Sequence, residues 1–326
     1  MKFRATFSSV GVQWLERFVP VFEKLGKELS VLLTPNTIHL VQDALATGGL
    51  ELHADLLKDE VFEEYKISSN NGDKIAFSLE PATLHRVLRG LIGSEATTVE
   101  VKLIKRVVEP GKSLPFLNFS SVGLVDITQD VPIAGPLTKR EVTQLETLIQ
   151  ANVTEVPYWL DLDRGAVETT CVTVEKFKAI GGTVALATTK GGALHLVVNS
   201  TEQGSSAVIG VELQNLPVLP EDVGTTERDD DDDSNDSLTD SATRLAHAKA
   251  SGDASCVKID TRHLWKSLTG TQSNPSDCLF GVARHRGHVE LVYRFDRQAV
   301  HGNDAVGLMV RVPVEEEDDV SEGFDE

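Results

Sequence analysis

Basic side chains recur at helical spacing in several segments of the chain. Arg17, Lys24 and Lys27 are seven and three residues apart, and about 100° of rotation per residue places them on one stripe of a helix. Long, mobile cations contact phosphate oxygens without reading base edges. The stripe is therefore suited to contact with an anionic partner, although basic residues more commonly solvate the outer face of a surface helix.

Three further helical segments offer cations of the same kind. The pairs in two segments are spaced by three or four residues and favour one helix face, whereas the pair in the third is only two residues apart and cannot share a stripe. The aromatic residues near these cations are not interleaved with them in a way that would stack bases, so binding of single strands by stacking is not expected. These further DNA-facing candidates are Arg86, Arg89, Arg262, Lys266, Lys176 and Lys178.

The elements that must position two of these pairs repeat one design. Residues 77–90 and 257–270 each read as a short strand, an acidic residue where a helix begins, and a helix closed by glycine. Leucines three to four residues apart, such as Leu84 and Leu88, give each helix an apolar stripe that can be buried. The repeat indicates two copies of one domain, each presenting basic helices.

The first helix should span residues 12–27. Its apolar residues Leu15, Phe18, Phe22 and Leu25 recur at helical spacing on the side opposite the basic stripe. Pro20 lies in the middle of this segment and cannot donate a backbone hydrogen bond to the preceding turn. We therefore expect the helix to kink or split at that residue.

Patterns that would indicate catalysis or a metal are weak. Residues 111–113 (Gly-Lys-Ser) look like the end of a phosphate loop. Such a loop also needs a glycine five positions before Gly111, where this chain has Arg106. His285 and His288 flank a tight turn and lack a third ligand nearby. We therefore expect a protein without enzymatic activity, catalytic residues, cofactor or metal site.

The charge of the chain is unevenly distributed. The 326 residues carry a formal net charge of −19, and residues 217–253 and 315–326 each account for a net −8 of it. The remainder is nearly balanced, so the overall acidity does not exclude a nucleic-acid partner.

The sequence also bears on the location of the protein. We find no apolar run near the roughly 18 residues that a membrane helix needs and no secretory signal. Three scattered cysteines fit a reducing compartment.

The order of elements predicts an α+β fold with segregated helices and antiparallel sheets. We expect an N-terminal domain over residues 1–129 and a C-terminal domain over 156–313. An interdomain connector is expected at 130–155, and two prolines and a glycine should keep regular structure out of its first part, residues 130–139. A disordered acidic insertion is expected at 217–253, and an acidic tail at 314–326.

Apolar residues in the connector are a second set of binding candidates. Val131, Ile133 and Leu137 lie in a segment that its prolines should keep from forming a helix. They must then cover the joint between the domains or line a groove that a partner peptide enters. Both interpretations can hold at once.

The acidic insertion suggests regulation or a different function. Thr226 and Ser237 each have an aspartate three residues later, which makes them candidate phosphorylation sites. The insertion can equally be a solvating loop. The alternative function is an acidic interaction protein, similar to a histone chaperone, that acts through the insertion and the tail.

Four blocks of sequence carry a resemblance to a known family. They are Met1-Lys-Phe-Arg-Ala, residues 48–56 (Gly-Gly-Leu-Glu-Leu-His-Ala-Asp-Leu), residues 130–133 (Asp-Val-Pro-Ile) and residues 259–275 with Leu268-Thr-Gly-Thr-Gln-Ser-Asn-Pro. They resemble the Hus subunit of the nine-one-one checkpoint clamp, a DNA sliding clamp related to proliferating-cell nuclear antigen. The long acidic insertion and the acidic tail depart from the family pattern.

The resemblance implies two tandem clamp domains with antiparallel sheets outside and helices lining the inner face of a ring. The implied partners are two other clamp-like subunits, a clamp loader, double-stranded DNA, and repair and checkpoint proteins, with no membrane. The implied function is non-enzymatic: a heterotrimeric ring that encircles DNA at damage sites and recruits checkpoint kinase activators and repair enzymes. Its implied location is the nucleus, and also the cytoplasm before assembly.

Overall fold

The structure, a computed structural model, describes residues 1–94, 96–123, 126–151, 156–200, 207–220, 241–283, 287–295 and 306–315. Contacts divide the chain into two compact units. Unit 1 comprises residues 1–154, 269–276 and 292–310, and unit 2 comprises residues 155–268, 277–291 and 311–326. Among the described helices, none is both long and apolar enough to cross a membrane.

Groups of strands alternate with helices along the chain. The helices are α1 (Gly11–Leu25), α2 (Ala44–Thr47), α3 (Lys58–Val61), α4 (Pro81–Gly93), α5 (Lys139–Ala151), α6 (Arg164–Phe177), α7 (Ser241–Ala250) and α8 (Thr261–Ser267). The strands are β1 (Lys2–Phe7), β2 (Leu29–Leu33), β3 (Thr37–Gln42), β4 (Glu51–Leu57), β5 (Phe62–Ser68), β6 (Ile75–Leu79), β7 (Thr98–Glu109), β8 (Lys112–Val122), β9 (Ile127–Ala134), β10 (Trp159–Asp163), β11 (Thr183–Thr189), β12 (Leu194–Ser200), β13 (Ala207–Leu213), β14 (Val218–Leu219), β15 (Ala254–Asp260), β16 (Asp277–Val282), β17 (His288–Arg294) and β18 (Val306–Pro313). The predicted α+β class is confirmed.

Unit 1 contains two antiparallel runs of strands that share β9. One run has the order β4-β3-β2-β6-β9, and the other has the order β9-β8-β7-β1-β5. Strand β9 pairs Ile133 with Leu79 of β6, and Pro132 with Phe116 of β8. The burial of β1 alternates residue by residue, as expected of a strand with one face in the core.

Helix α1 covers part of this core. Leu15, Phe18, Phe22 and Leu25 are buried as their spacing predicts, and each buried side chain of this size contributes about 1.5–3 kcal/mol. Pro20 lies inside one continuous helix, so the expected split at that residue is wrong. The proline removes one backbone hydrogen bond, whereas the buried residues on both sides of it anchor the two halves to the core.

Unit 2 contains the antiparallel sheet β13-β12-β11-β15 and the strand order β14-β10-β16. Its helices α6 and α8 pack against each other. Both helices begin at an aspartate whose side chain accepts backbone N–H groups. Asp163 accepts from Ala166 at 2.8 Å, and Asp260 accepts from Arg262 at 2.6 Å. Such N-caps stabilise a helix by about 1 kcal/mol.

The two copies of the repeated strand and helix differ at both helix ends. Glu80, which precedes α4, caps no backbone N–H group and instead accepts the Thr83 hydroxyl at 2.6 Å. Helix α4 also continues through Gly90 to Gly93. The acidic cap is therefore present only in the second copy, and Gly90 does not end the helix in the first.

The segment between the expected domains is mostly regular, which corrects the expectation of irregular structure at residues 130–139. Strand β9 runs to Ala134, and α5 begins at Lys139. Pro132 is accommodated within the strand, and Pro136 precedes the helix, where its missing N–H costs nothing. The prolines therefore limit irregular structure to a few residues between β9 and α5.

The acidic insertion is also partly ordered, so the expectation of disorder across 217–253 is wrong at both ends. Residues 218–219 form β14, and residues 241–250 form α7. The Arg244 guanidinium of α7 pairs with Glu212 of β13, Nε to Oε1 at 3.2 Å. A cavity of about 840 Å³ lies between α7 and the sheet of β11, β12, β13 and β15. Residues 221–240 lie outside the described residues.

Candidate nucleic-acid interface

Helices α1 and α4 pack against each other in unit 1 and carry the first group of candidate cations. Arg17 and Lys24 of α1 and Arg86 and Arg89 of α4 are exposed, because the apolar stripes of both helices are turned into the core. Lys27 is also exposed and follows the last residue of α1 by two positions. One pair of neighbouring helices thus carries or adjoins five of the nine predicted residues.

The cations of this helix pair are held only loosely. The Arg17 guanidinium lies 4.8 Å from the centre of the Trp14 ring, and Lys24 donates a hydrogen bond to the side chain of Gln272. Within the described part of the chain, Arg86 and Arg89 have no ion-pair partner. Their charges are therefore available to an external anion.

Acidic residues share the α1–α4 pair with these cations. The His85 ring of α4 lies between two carboxylates of α1, with Nδ1 2.5 Å from Glu23 Oε2 and Nε2 3.9 Å from Glu16 Oε1. His85 thus links α4 to α1 and occupies the carboxylate of Glu23, with that of Glu16 nearby. The surface has mixed charge, so its contacts with phosphate will be weak individually.

Helices α6 and α8 carry the candidate cations of unit 2. Arg262 and Lys176 are exposed, and Lys266 is half-buried. Lys178 follows the end of α6 and places its Nζ 3.6 Å from the centre of the Trp265 ring of α8. Lys176 lies within α6, whereas Lys178 lies just beyond its last residue. The two side chains therefore do not share a stripe of this helix.

The property that these nine side chains share is a positive charge that attracts an anionic surface. Long stems carry the charged ends of arginine and lysine away from the backbone, and exposed charges of this kind attract phosphate in a salt-dependent way. Sequence reasoning missed Trp14 and Trp265. The spacing of three between Trp14 and Arg17 is a usable signal, but the pair of Lys178 and Trp265 depends on packing between helices.

The three candidate groove residues differ in exposure. Val131 is fully buried and Ile133 is 7% exposed, so both lie in the core of unit 1. Leu137 is partly buried and packs against a cluster that includes Val41 and Ala76. Among these three side chains, contact with a partner peptide therefore falls mainly to Leu137.

Helix α5 covers the same apolar cluster, which sequence reasoning did not anticipate. Val142 and Leu145 are buried against Leu32, Val41 and Ala76 of strands β2, β3 and β6.

The helix begins with a capping box. The Thr138 amide donates to Glu141 Oε2 at 2.7 Å, and the Glu141 amide approaches Thr138 Oγ1 at 3.4 Å. The bonds from Thr138 hold the pKa of Glu141 below its ordinary value.

Two shallow cavities flank α5. One, of about 390 Å³, is lined by Leu137, Val142, Ala76 and Lys74 among others. The other, of about 380 Å³, lies near Leu145 at the far side of the helix. Helix α5 therefore leaves openings of mixed polarity at its edges while it covers apolar side chains of the sheet. The candidate phosphorylation sites Thr226 and Ser237 lie outside the described residues.

Comparison of the sequence with known proteins finds one family over most of the chain. The model of the family described as Hus1-like protein matches residues 1–300. The checkpoint protein hus1 homolog of Dictyostelium discoideum is 26% identical over 145 residues, which are 44% of this chain and 52% of the relative. The match thus spans about half the length of that relative.

Comparison of the fold finds a solved structure of similar architecture. The crystal structure of proliferating cellular nuclear antigen from Entamoeba histolytica matches with a TM-score of 0.59 at 9% sequence identity, covering 96% of this chain and 99% of that one. Identity this low carries information about the fold alone. The predicted clamp-like fold is confirmed.

Proposed function

Because the chain belongs to the Hus1-like protein family, we propose that it is a non-enzymatic subunit of a heterotrimeric checkpoint clamp that encircles DNA. Two other clamp-like subunits complete the ring, and a loader opens it at damaged sites. The ring then recruits checkpoint kinase activators and repair enzymes in the nucleus. The observation that carries the proposal is a clamp fold whose packed helices α1 and α4 expose four cations.

The chemistry of α1 and α4 suits a ring that slides. Sliding requires contacts with phosphate that are weak, replaceable and independent of base sequence. Arg86 and Arg89 supply such contacts without a competing ion pair among the described residues. The acids Glu16 and Glu23 lower the net attraction of this surface, which keeps the contacts replaceable.

The test uses the assembled ring on DNA. The chain is co-expressed with two clamp-like partners, loaded onto nicked circular duplex, and compared with a variant in which Arg17, Lys24, Arg86 and Arg89 are changed to Ala. We expect the variant to assemble normally but to leave the circle faster. Each lost phosphate contact should lower the slope of log affinity against log salt by about 0.9.

A matched control removes the same charge from elsewhere in unit 1. Lys2, Lys66, Lys105 and Lys112 are exposed on strands of one sheet, and their replacement by Ala should leave retention unchanged. Equal retention by both quadruple variants would refute the assignment of α1 and α4. Failure to form a 1:1:1 complex with clamp-like partners would refute the ring itself.

We also infer that partner peptides bind beside α5. The opening near Leu137 combines the apolar side chains of Leu137 and Val142 with the exposed Lys139, whereas Lys74 on its border pairs with Glu146. It suits a peptide with an apolar anchor and an acidic flank. Leu137→Glu should weaken client binding to the assembled ring by at least about tenfold, whereas Val107→Glu, at a residue of β7 that is 73% exposed, should not. Unchanged client affinity in Leu137→Glu would place the clients elsewhere.

A further inference from the structure

Two histidines and an aspartate converge on one face of the β3–β4 pair. His39 and Asp55 are directly opposite each other in the antiparallel register, and His53 precedes Asp55 by two residues on the same strand. Because side chains two residues apart in a strand share a face, all three point to the same side of the sheet. Among the described residues, this is a group whose ligand atoms lie within 4.8 Å of one another.

The contacts within this group are short. Asp55 Oδ1 lies 2.5 Å from His39 Nδ1 and 2.7 Å from His53 Nε2. The two imidazole rings are nearly parallel, with centres 5.7 Å apart. Two ring nitrogens are thus aimed at one carboxylate oxygen from neighbouring strands, so the sheet itself fixes the directions of all three groups.

We propose that His39, His53 and Asp55 form a binding site for a zinc ion. Two imidazole nitrogens and a carboxylate oxygen are a donor set that zinc accepts, with a water in the fourth position. Zinc places its ligand atoms about 2.0–2.2 Å from the metal, so the three donors need to separate only slightly to admit the ion.

The surroundings of the group fit an ion that enters from solvent. The side chains of His39 and His53 are 15% and 8% exposed, whereas that of Asp55 is 48% exposed. The carboxylate therefore has room to rotate and leaves space for a water ligand.

The location of the site gives it a structural role. Val41, opposite His53 in the register, packs beneath α5. Zinc ligands on both strands would pin β3 to β4 beside that helix. A ligand that binds only the folded chain stabilises it by mass action, so zinc should raise the unfolding temperature of the protein.

The experiment titrates the metal-free full-length chain with Zn²⁺ by calorimetry and with Co²⁺ by visible absorption. Wild type should bind one equivalent at this site, with Co²⁺ bands typical of tetrahedral nitrogen and oxygen ligands. His39→Gln, His53→Gln and Asp55→Asn should each weaken binding at least about tenfold, as loss of a direct ligand costs at least as much as loss of an outer partner. They should also abolish the rise in unfolding temperature with Zn²⁺.

His85→Gln is the matched control, because His85 pairs with Glu23 in a similarly short contact but lacks a second histidine. It should bind zinc like wild type. Asp55→Asn keeps the size of a half-exposed side chain, so its fold should survive and its circular dichroism should match wild type. Zinc affinity unchanged in Asp55→Asn and His53→Gln, or no binding by wild type, would leave the three residues as a hydrogen-bond network and overturn the proposal.

Discussion

His195 is a buried titratable side chain in unit 2, only 3% exposed. Burial lowers its pKa below the ordinary value. Glu212, whose Oε1 lies 3.6 Å from His195 Nε2, opposes this shift, and the positive charges of Arg244 and Lys249 reinforce it. The imidazole is therefore neutral at pH 7.

This pKa predicts how the stability of unit 2 depends on pH. The unfolded histidine takes up a proton near pH 6.5, before the folded one does. Its contribution is complete above that pH and is lost as the pH falls toward the lowered folded pKa. We expect the free energy of unfolding to fall between pH 7 and pH 5, and His195→Gln to flatten this slope in denaturant titrations. His247→Gln, at an exposed residue of α7, should keep the wild-type slope.

Single residues also show how far the interface could be predicted from sequence. The spacing of Arg17 and Lys24, or of Arg86 and Arg89, depends only on helical geometry, and all four are exposed as expected. The partners of Lys24 and Lys178 were not predictable, because Gln272 and Trp265 are distant from them in sequence and reach them only through packing. The converging group around Asp55 likewise depends on strand register.

At the scale of elements, replacing two glycines of helical segments by alanine should have opposite effects on stability. A Cβ on Gly11 at the start of α1 would lie 1.9 Å from the carbonyl oxygen of Val61, whereas one on Gly93 at the end of α4 would meet nothing within 4 Å. Gly11→Ala should destabilise the protein by at least about 2 kcal/mol. Gly93→Ala should be neutral or stabilise it by up to about 1 kcal/mol. Chemical denaturation measures both, and equal effects would contradict the packing of α1 on α3.

Helix α5 offers a second matched pair. Leu145 is 7% exposed and packs against the sheet, whereas Leu148 on the same helix is 39% exposed. Leu145→Ala should cost about 2–4 kcal/mol through lost burial and a cavity, and Leu148→Ala less than about 1 kcal/mol. Free energies of unfolding measured at 25 °C for the two variants test this difference. A small effect of Leu145→Ala would mean that α5 leaves the sheet in solution.

The sequence does contain the signals for α5, although the prolines nearby outweighed them. Thr138 and Glu141 have the spacing of a capping box, and Val142, Leu145 and Ile149 recur at helical spacing. Pro132 and Pro136 instead indicated an irregular connector. A proline before a helix does not oppose it, which is why the local evidence was misjudged. The strands were predicted better, because short alternating or apolar runs bounded by turn residues mark most of them in the sequence.

At the scale of the whole molecule, the net charge of −19 competes with the basic helices. Repulsion between the acidic chain and duplex DNA should exceed the attraction of a few exposed cations at physiological salt. We expect the isolated chain to bind short linear duplex too weakly to shift it on a native gel. Assembled rings should nevertheless be retained on closed circles, because a ring can leave a circle only by opening, and phosphate contacts of α1 and α4 slow that step. Tight binding by the isolated chain would contradict this balance.

The fold of the whole chain was predictable to the level of two similar halves with antiparallel sheets. Turn residues, alternating strands and the repeated strand and helix depend on neighbouring residues alone. The pairing of β9 with both β6 and β8 and the cover provided by α7 were not predictable. Those contacts join residues far apart in sequence. The acidic composition around Asp229–Asp233 indicated disorder, so the helical segment at residues 241–250 was not predicted.

Two of the three tryptophans in the chain have a proposed DNA-contacting cation over their rings: Arg17 over Trp14, and Lys178 over Trp265. A phosphate that draws either cation away changes the electric field at the indole and hence its fluorescence. The natural protein therefore carries an optical reporter in each unit, and replacing Trp14 or Trp265 by Phe would show which helix pair meets the DNA first.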